Sequence, residues 1–189
     1  MLQTLGLVSG LLAIGSHLPY LRDILKGTTK PERASWFIWA VLGVIAFFSQ
    51  LAEGATNSLW LNGLDTLGSL LIFLFSIKTG VGGLAKRDIA SLIFAAVGLV
   101  LWFLTKEPLV ALIIIVLIDF AGAILTILKA YEKPETETLS TWVIVAISGF
   151  IASLSVGETN FALLLYPIYI GSINGATAVA ILLGRKRKK

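Results

Sequence analysis

The chain contains no cysteine, a single histidine (His17) and few charged residues, which make up 14% of its 189 residues. Without cysteine, disulfides and thiolate metal sites are excluded. One histidine cannot hold a metal with the usual number of ligands, and no nucleophile stands beside the acidic residues of the apolar segments. We therefore expect neither an enzyme nor a cofactor, and no nucleic-acid partner.

Hydrophobic residues make up 57% of the chain, and its mean hydropathy is +0.91. Soluble domains carry about 25% charged residues, and a membrane-spanning helix needs roughly 20 mostly apolar ones. Seven runs meet that requirement: 4–25, 34–52, 58–77, 89–105, 108–128, 139–156 and 161–183. The composition predicts an all-α membrane protein with seven transmembrane helices, which leaves too little chain for a soluble catalytic domain.

Basic residues are distributed very unevenly between the ends of the seven runs. Fourteen of the 15 lysines and arginines follow the first, third, fifth or seventh run, and Lys106 alone lies on the other side. The positive-inside rule then predicts an outer amino terminus and an inner carboxyl terminus. The basic tail 184–189 fixes this topology or binds anionic lipid. Minimal loops favour a prokaryotic inner (plasma) membrane.

Two stretches of the chain resemble each other. An offset of 103 residues pairs Pro31 with Pro134, and after a three-residue insertion an offset of 106 pairs Trp36 with Trp142. This ordered set indicates an internal repeat. We predict a three-helix repeat over 1–80, a linker helix over 81–106 that keeps the copies parallel, and a second repeat with the basic tail over 107–189.

The stretch LPYLRDILKGTTKPERASWFIW, residues 18–39, combines a proline in the first helix, a basic segment and a Ser-Trp entry to the second helix. It resembles the signature of the PQ-loop family, and the 3+1+3 plan is similar to that of SWEET and PQ-loop transporters. The chain is identified as an outlying member, since Tyr20 stands where the family has glutamine and Gly122 lies near the expected second proline.

The resemblance implies a secondary transporter or facilitator of a small polar solute, such as a sugar, an amino acid or a similar metabolite. The two bundles would give alternating access to a site between them. The alternative is a ligand-binding membrane receptor or scaffold of the same fold without transport. The sequence leaves open the solute, the coupling to protons, and the choice between monomer and homo-oligomer.

Asp119 lies near the middle of the fifth run, in IIIVLIDFAGAIL, and His17 lies inside the first. Ionisable groups at this depth are costly and mark functional sites by default. Because the repeat makes the first and fifth helices counterparts, we predict that His17 and Asp119 approach each other and exchange a proton. The alternative for each is a structural hydrogen bond.

Polar residues also fall on one face of the third helix, at Asn62, Asp65 and Ser69. The seventh helix carries Asn174 on a similar stripe. By resemblance, relatives line their pocket with polar residues on these two helices. This implies that Asn62, Asp65 and Asn174 bind the substrate.

Four tryptophans lie within the first two turns of predicted helices. Trp36 and Trp142 are predicted to belong to the aromatic belt at the inner interface. Trp39, one turn deeper, is predicted to form a pocket wall. Trp60 is either an outer anchor or, as in the relatives, an aromatic residue of the pocket, and we count it among the substrate-binding candidates.

Pro19 stands inside the first apolar run. A proline within a helix removes one backbone hydrogen bond and kinks the helix. We predict that Pro19 is the hinge of a gate and that Tyr20 blocks the inner exit, with a static kink as the alternative.

Overall fold

The computed structural model describes residues 1–83, 85–104 and 107–188. Thr105 and Lys106, at the predicted end of the fourth helix, and Lys189 of the basic tail lie outside the described residues. Within them the structure contains seven α-helices and no strand. The helices are α1 (Leu2–Leu25), α2 (Arg33–Ala52), α3 (Leu59–Thr79), α4 (Lys86–Leu104), α5 (Pro108–Glu132), α6 (Leu139–Ser155) and α7 (Phe161–Arg187). A single 3₁₀ turn, Pro134–Thr136, follows α5.

Local chemistry sets several helix starts. The Glu32 carboxylate accepts a hydrogen bond from the Ser35 amide at 2.8 Å and caps α2. The Asn160 side chain caps α7 through the Leu163 amide. Pro108 opens α5, where its missing N–H costs no helical bond.

The helices pack in two groups of three. In the first bundle, α3 lies between α1 and α2; in the second, α7 lies between α5 and α6. The bundles meet where α1 packs on α6 and where α2 packs on α5, while α4 lies against α5. Exchanging α1, α2 and α3 with α5, α6 and α7 leaves the main contacts among these six helices unchanged, whereas α4 packs on α5 of the second bundle.

Close helix crossings depend on small residues. A Cβ atom at Gly6 would clash with the Asn57 carbonyl oxygen, and one at Gly10 would lie 2.6 Å from that of Trp60. The G-x-x-x-G pair of α1 therefore packs inside the first bundle, where it lets α1 approach the start of α3.

The outer surface of the protein is apolar, unlike that of a soluble domain, and several polar side chains are buried. Large apolar side chains point outward, with Leu18, Phe103 and Leu154 between 66% and 75% exposed, whereas the Ser16 and Ser148 side chains are fully buried. Five helices (α1, α2, α3, α5 and α7) are long and apolar enough to cross a membrane, and α6 is a shorter apolar helix. This arrangement gives the chain the character of an integral membrane protein.

Candidate functional site

A central cavity lies between the two bundles. The space open to the centre of a water molecule is about 40 Å³. This is room for about three water molecules. Of the described residues that line it, none is lysine or arginine. They are His17, Trp36, Trp39, Gly43, Asp65, Thr66, Ser69, Asp119, Ala123, Thr141, Trp142, Val145, Tyr166, Ile170, Ile173, Asn174 and Thr177.

His17 is held rigidly on the α1 wall of the cavity. Its Nδ1 lies 2.8 Å from the Ala13 carbonyl oxygen, one turn earlier in α1. The ring packs on α3, where a Cβ at Gly68 would lie 2.5 Å from it, and it meets the edge of Trp36 at a centroid distance of 6.0 Å. This fixed orientation aims Nε2 at Asp65 Oδ1, 3.6 Å away.

Asp119 takes a different partner. Its Oδ2 accepts a hydrogen bond from the Tyr169 hydroxyl of α7 at 2.5 Å, and Trp39 is also placed to donate to it. The predicted pairing of His17 with Asp119 is therefore wrong, although both line the cavity. The physical reason is the packing: α1 lies against α3 and α5 against α7, so each acidic contact forms within one bundle.

The two asparagines have different environments. Asn174 lines the cavity, and its side-chain amide donates to the Ile170 carbonyl at 2.9 Å. Asn62 is fully buried between α2 and α3. In the amide orientation that satisfies both ends, it accepts from Phe47 N at 2.9 Å and Gln50 Nε2 at 2.7 Å and donates to Gly43 O at 3.1 Å. These bonds join α2 to α3, and Asn62 does not line the cavity; its assignment to the substrate site stays a prediction.

Aromatic rings cluster at the end of the cavity that lies toward the loop between α1 and α2. Tyr20, Trp36, Trp39 and Trp142 form one cluster, with centroid distances of 5.1 Å for Tyr20–Trp36, 5.0 Å for Trp36–Trp39 and 6.0 Å for Trp36–Trp142. Trp36 and Trp142 are 2% and 3% exposed, so their assignment to an interfacial belt is wrong. They and Tyr20 are called the aromatic floor below.

Trp60 lies away from the cavity. It is 47% exposed and borders an outward-facing groove together with Phe47 and Leu64. Its backbone packs on Gly10 of α1, and this crossing turns the side chain outward. The position suits an anchor at an interface, and the assignment of Trp60 to the substrate site stays a prediction.

A buried polar network lies beyond the aromatic floor, and sequence reasoning missed it. The Glu137 carboxylate accepts from the Tyr20 hydroxyl at 3.1 Å, from Trp142 Nε1 at 3.0 Å and from Lys129 Nζ at 2.6 Å. Lys129 also donates to the Lys30 carbonyl. Helix α1 continues through Pro19 up to this network. The signal in the sequence was the Trp36–Trp142 repeat pair, which marked two equivalent positions around a shared centre.

A second buried carboxylate, Glu32, lies at the start of α2, outside the apolar segments. One oxygen, Oε2, bonds the Ser35 amide and hydroxyl, while Oε1 is buried without a hydrogen-bond partner. Burial, and secondly the negative charge of Asp88, raise the pKa of the Glu32 carboxyl above its ordinary value. The bonds from Ser35 act in the opposite direction.

The described residues of the cavity present oxygen atoms, indole rings, one imidazole and aliphatic side chains. Within the described residues, no group of three or more histidine, cysteine or acidic side chains is placed to hold a metal ion. Carboxylates and indole faces together attract polar or positively charged groups, since indole faces carry negative electrostatic potential.

Comparisons of the chain with protein-family models, with curated proteins and with solved structures give no match. What the structure defines is an all-α protein with five helices long enough and apolar enough to cross a membrane. Its helices surround a small cavity lined by polar, aromatic and aliphatic side chains. The resemblance to PQ-loop and SWEET-like transporters stays a prediction based on the motif at 18–39 and the 3+1+3 plan.

Proposed function

We propose that the protein is a secondary transporter or facilitator of a small polar solute, which it binds in the central cavity. The observation that carries the proposal is the position of Asp65 and Asp119. Both carboxylates line a cavity between two bundles, inside helices of membrane-spanning length, where an unneutralised carboxylate is costly. Such groups persist in membrane proteins chiefly where they serve a substrate or an ion.

The packing pattern supports an alternating-access mechanism. Because the two bundles make equivalent contacts, α1–α6 and α2–α5, one bundle can rock against the other around a central site. In this proposal, the aromatic floor and the Glu137 network seal the end of the cavity that the predicted topology makes the inner one. We include in the proposal seven membrane-crossing helices, an outer amino terminus and an inner carboxyl terminus.

The cavity chemistry favours neutral polar or cationic solutes. An anionic solute would need a fixed cation, and no described lining residue is lysine or arginine. With room for about three water molecules, the conformation described is closed around a small space. A solute of sugar or amino-acid size would therefore enter only after the bundles separate.

Uptake into proteoliposomes tests the proposal. The panel contains labelled sugars, neutral and cationic amino acids, and simple amines. Asp119→Asn should reduce uptake of the transported solute at least tenfold, whereas Glu158→Gln, which removes an exposed loop carboxylate, should not change it. A ligand that binds in a thermal-shift screen but never crosses the vesicle membrane would favour the receptor alternative instead. No uptake of any solute in the panel would argue against transport.

A further inference from the structure

We propose that His17 and Asp65 together form a proton-binding site on the cavity wall, so that solute binding is linked to proton binding. The proton-binding site itself is inferred from the geometry of the pair alone. The link to solute binding rests on the proposed function.

The hydrogen bond at Nδ1 fixes the tautomer of neutral His17. Its Nδ1 lies 2.8 Å from the Ala13 carbonyl oxygen, which can only accept a hydrogen bond. The ring nitrogen must therefore carry the hydrogen and donate it. In a neutral imidazole only one nitrogen carries a hydrogen, so Nε2 of neutral His17 presents a lone pair.

That lone pair would face a negative charge. Nε2 lies 3.6 Å from Asp65 Oδ1, and the packing of the ring on Gly68 and against Trp36 prevents it from turning away. An ionised Asp65 opposite a neutral His17 is repulsive. One added proton reverses the sign of the interaction, either as an imidazolium facing a carboxylate or as a carboxylic acid donating to Nε2.

The rest of the described structure does not supply the missing hydrogen. Among the described residues, Asp65 accepts no hydrogen bond from a protein donor at ordinary distance. The titratable groups that share the cavity with the pair are Asp119 from α5 and the hydroxyl of Tyr166 from α7, and Tyr169 of α7 donates to Asp119. The described cavity residues of α2 and α6 are tryptophan, glycine, threonine and valine, none of which titrates. The surroundings are therefore negative or neutral, which favours an added proton.

The proton has a route to the cavity. The Asp65 side chain is 19% exposed, whereas that of His17 is 3% exposed. Proton exchange therefore passes through the carboxylate of Asp65, from the pair to water in the cavity and back. Release changes the net charge of the cavity by one, so a solute whose binding depends on that charge must change proton affinity by the same factor that the proton changes solute affinity.

The unique histidine makes a direct test practical. Protein carrying ¹⁵N-histidine and ¹³C-aspartate gives a single imidazole signal, and its two nitrogen shifts distinguish the neutral tautomers from the imidazolium. We expect the pair to hold a proton over part of the range from roughly pH 5 to 8, as an imidazolium or as a protonated Asp65. In Asp65→Asn we expect the neutral Nδ1–H tautomer at the same pH. Glu158→Gln, the matched carboxylate removal on the surface, should leave the signal unchanged.

Two outcomes would overturn the site: a neutral His17 beside an ionised Asp65 throughout that range, or an Nε2–H tautomer. The spectrum of the unsubstituted protein shows whether either outcome occurs, even if Asp65→Asn does not fold. His17→Gln is a second variant that removes the pair.

Uptake measured at several pH values then tests the link. We expect the pH dependence of solute uptake to be lost in Asp65→Asn and retained in Glu158→Gln. If the pair holds a proton as expected but no solute is taken up, the proton site stands and the proposed function fails. If uptake occurs while the pair holds no proton, the proposed function stands and the proton site fails.

Discussion

The imidazole of His17 lies 3.6 Å from the carboxylate of Asp65, and this contact joins α1 to α3 beside the central cavity. A matching contact joins α5 to α7 on the opposite wall, where Tyr169 donates to Asp119. Each bundle thus carries one polar link between equivalent helices, although the residues differ. Because each link lies within one bundle, the bundles can move relative to each other without breaking either.

The packing of the His17 ring on Gly68 gives the first prediction. Gly68→Ala places a methyl group 2.5 Å from the ring and should lower the free energy of unfolding by roughly 1–3 kcal/mol through overpacking. Gly15→Ala is the matched control in α1, since nothing lies within 4 Å of its Cβ; it should be neutral or stabilising by up to about 1 kcal/mol. Equal effects on thermal unfolding in detergent would contradict the ring position.

The two asparagines give the second prediction. Asn62→Ala removes hydrogen bonds to α2 and leaves the Gln50 side chain without a buried partner, so it should cost roughly 1–3 kcal/mol of stability. It should leave solute affinity unchanged in the protein that folds. Asn174→Ala should lower solute affinity and cost less than about 1 kcal/mol, because its one described bond is to its own helix. Thermal unfolding and ligand binding, measured together, would show a reversed pattern if Asn62 bound the solute.

Hydropathy predicted the helices to within a few residues, and the differences have a common cause. Apolar runs mark where a helix can lie in a membrane but do not detect polar turns that extend it. Helix α3 extends to Thr79, where Arg33 donates to the carbonyls of Ser76 at 3.0 Å and Gly80 at 2.8 Å. Helix α5 continues past the predicted end to Glu132 and carries Lys129 into the buried network.

The site was predicted in part. Asp65, Asp119, His17, Trp39 and Asn174 do line one cavity. Their pairing was not predictable, because repeat symmetry relates α1 to α5 without placing them in contact, and neighbours within a bundle decide which side chains meet.

The tryptophans show a second limit of the sequence. A tryptophan of an interfacial belt and a tryptophan of the aromatic floor both lie near the start of a helix. They differ only in the rotation of the helix about its axis, which decides where the side chain points. Membrane helices are apolar on several faces, so hydrophobic periodicity does not report this rotation. Trp36 and Trp142 turn inward to the bundle centre, and Trp60 turns outward.

Glu32 gives the third prediction, a pH dependence of stability. Because burial raises the pKa of this carboxyl above 4.5, the folded protein binds its proton more tightly than the unfolded chain does. The stabilisation is fully present below the unfolded pKa and is lost as pH rises through the folded pKa. Glu32→Gln is neutral at every pH and keeps a capping oxygen. The unfolding temperature of the variant relative to the unsubstituted protein should therefore increase from about pH 4 to pH 7.

Glu135 is the control with the opposite sign. The hydrogen bond from Lys188 lowers the pKa of this exposed carboxyl, so its contribution is present above the unfolded pKa and is lost as pH falls. Glu135→Gln should have a small effect that salt screens. For Glu32→Gln, the difference in unfolding temperature from the unsubstituted protein could instead stay constant or fall as pH rises. Either result would mean that ionising Glu32 in the folded protein costs little.

The ion pair of Lys129 and Glu137 gives the fourth prediction. Both side chains are almost fully buried, 2.6 Å apart. Removing one partner of such a pair leaves an uncompensated charge, so Glu137→Gln should lower stability by roughly 3–5 kcal/mol. Combining it with Lys129→Met should recover much of that loss, because no buried charge then remains. Thermal unfolding of the single and double variants measures the coupling.

The same network should control access to the cavity from the inner side under the proposed topology. The chain has no cysteine, so Thr141→Cys, at a position that lines the cavity, reports access without background. Glu137→Gln frees Tyr20 and Trp142 from a charged acceptor. An impermeant thiol reagent on the inner side should therefore label the Thr141→Cys protein faster when Glu137→Gln is also present.

Lys26→Cys is the control for this labelling, because Lys26 is exposed at the end of α1, on the side predicted to be inner. Its thiol should react at the same rate with and without Glu137→Gln, which separates a change in access from a change in the reagent or the vesicles. Unchanged labelling of the Thr141→Cys protein would mean that ring packing in the aromatic floor seals the cavity by itself. The ion pair would then contribute to stability alone.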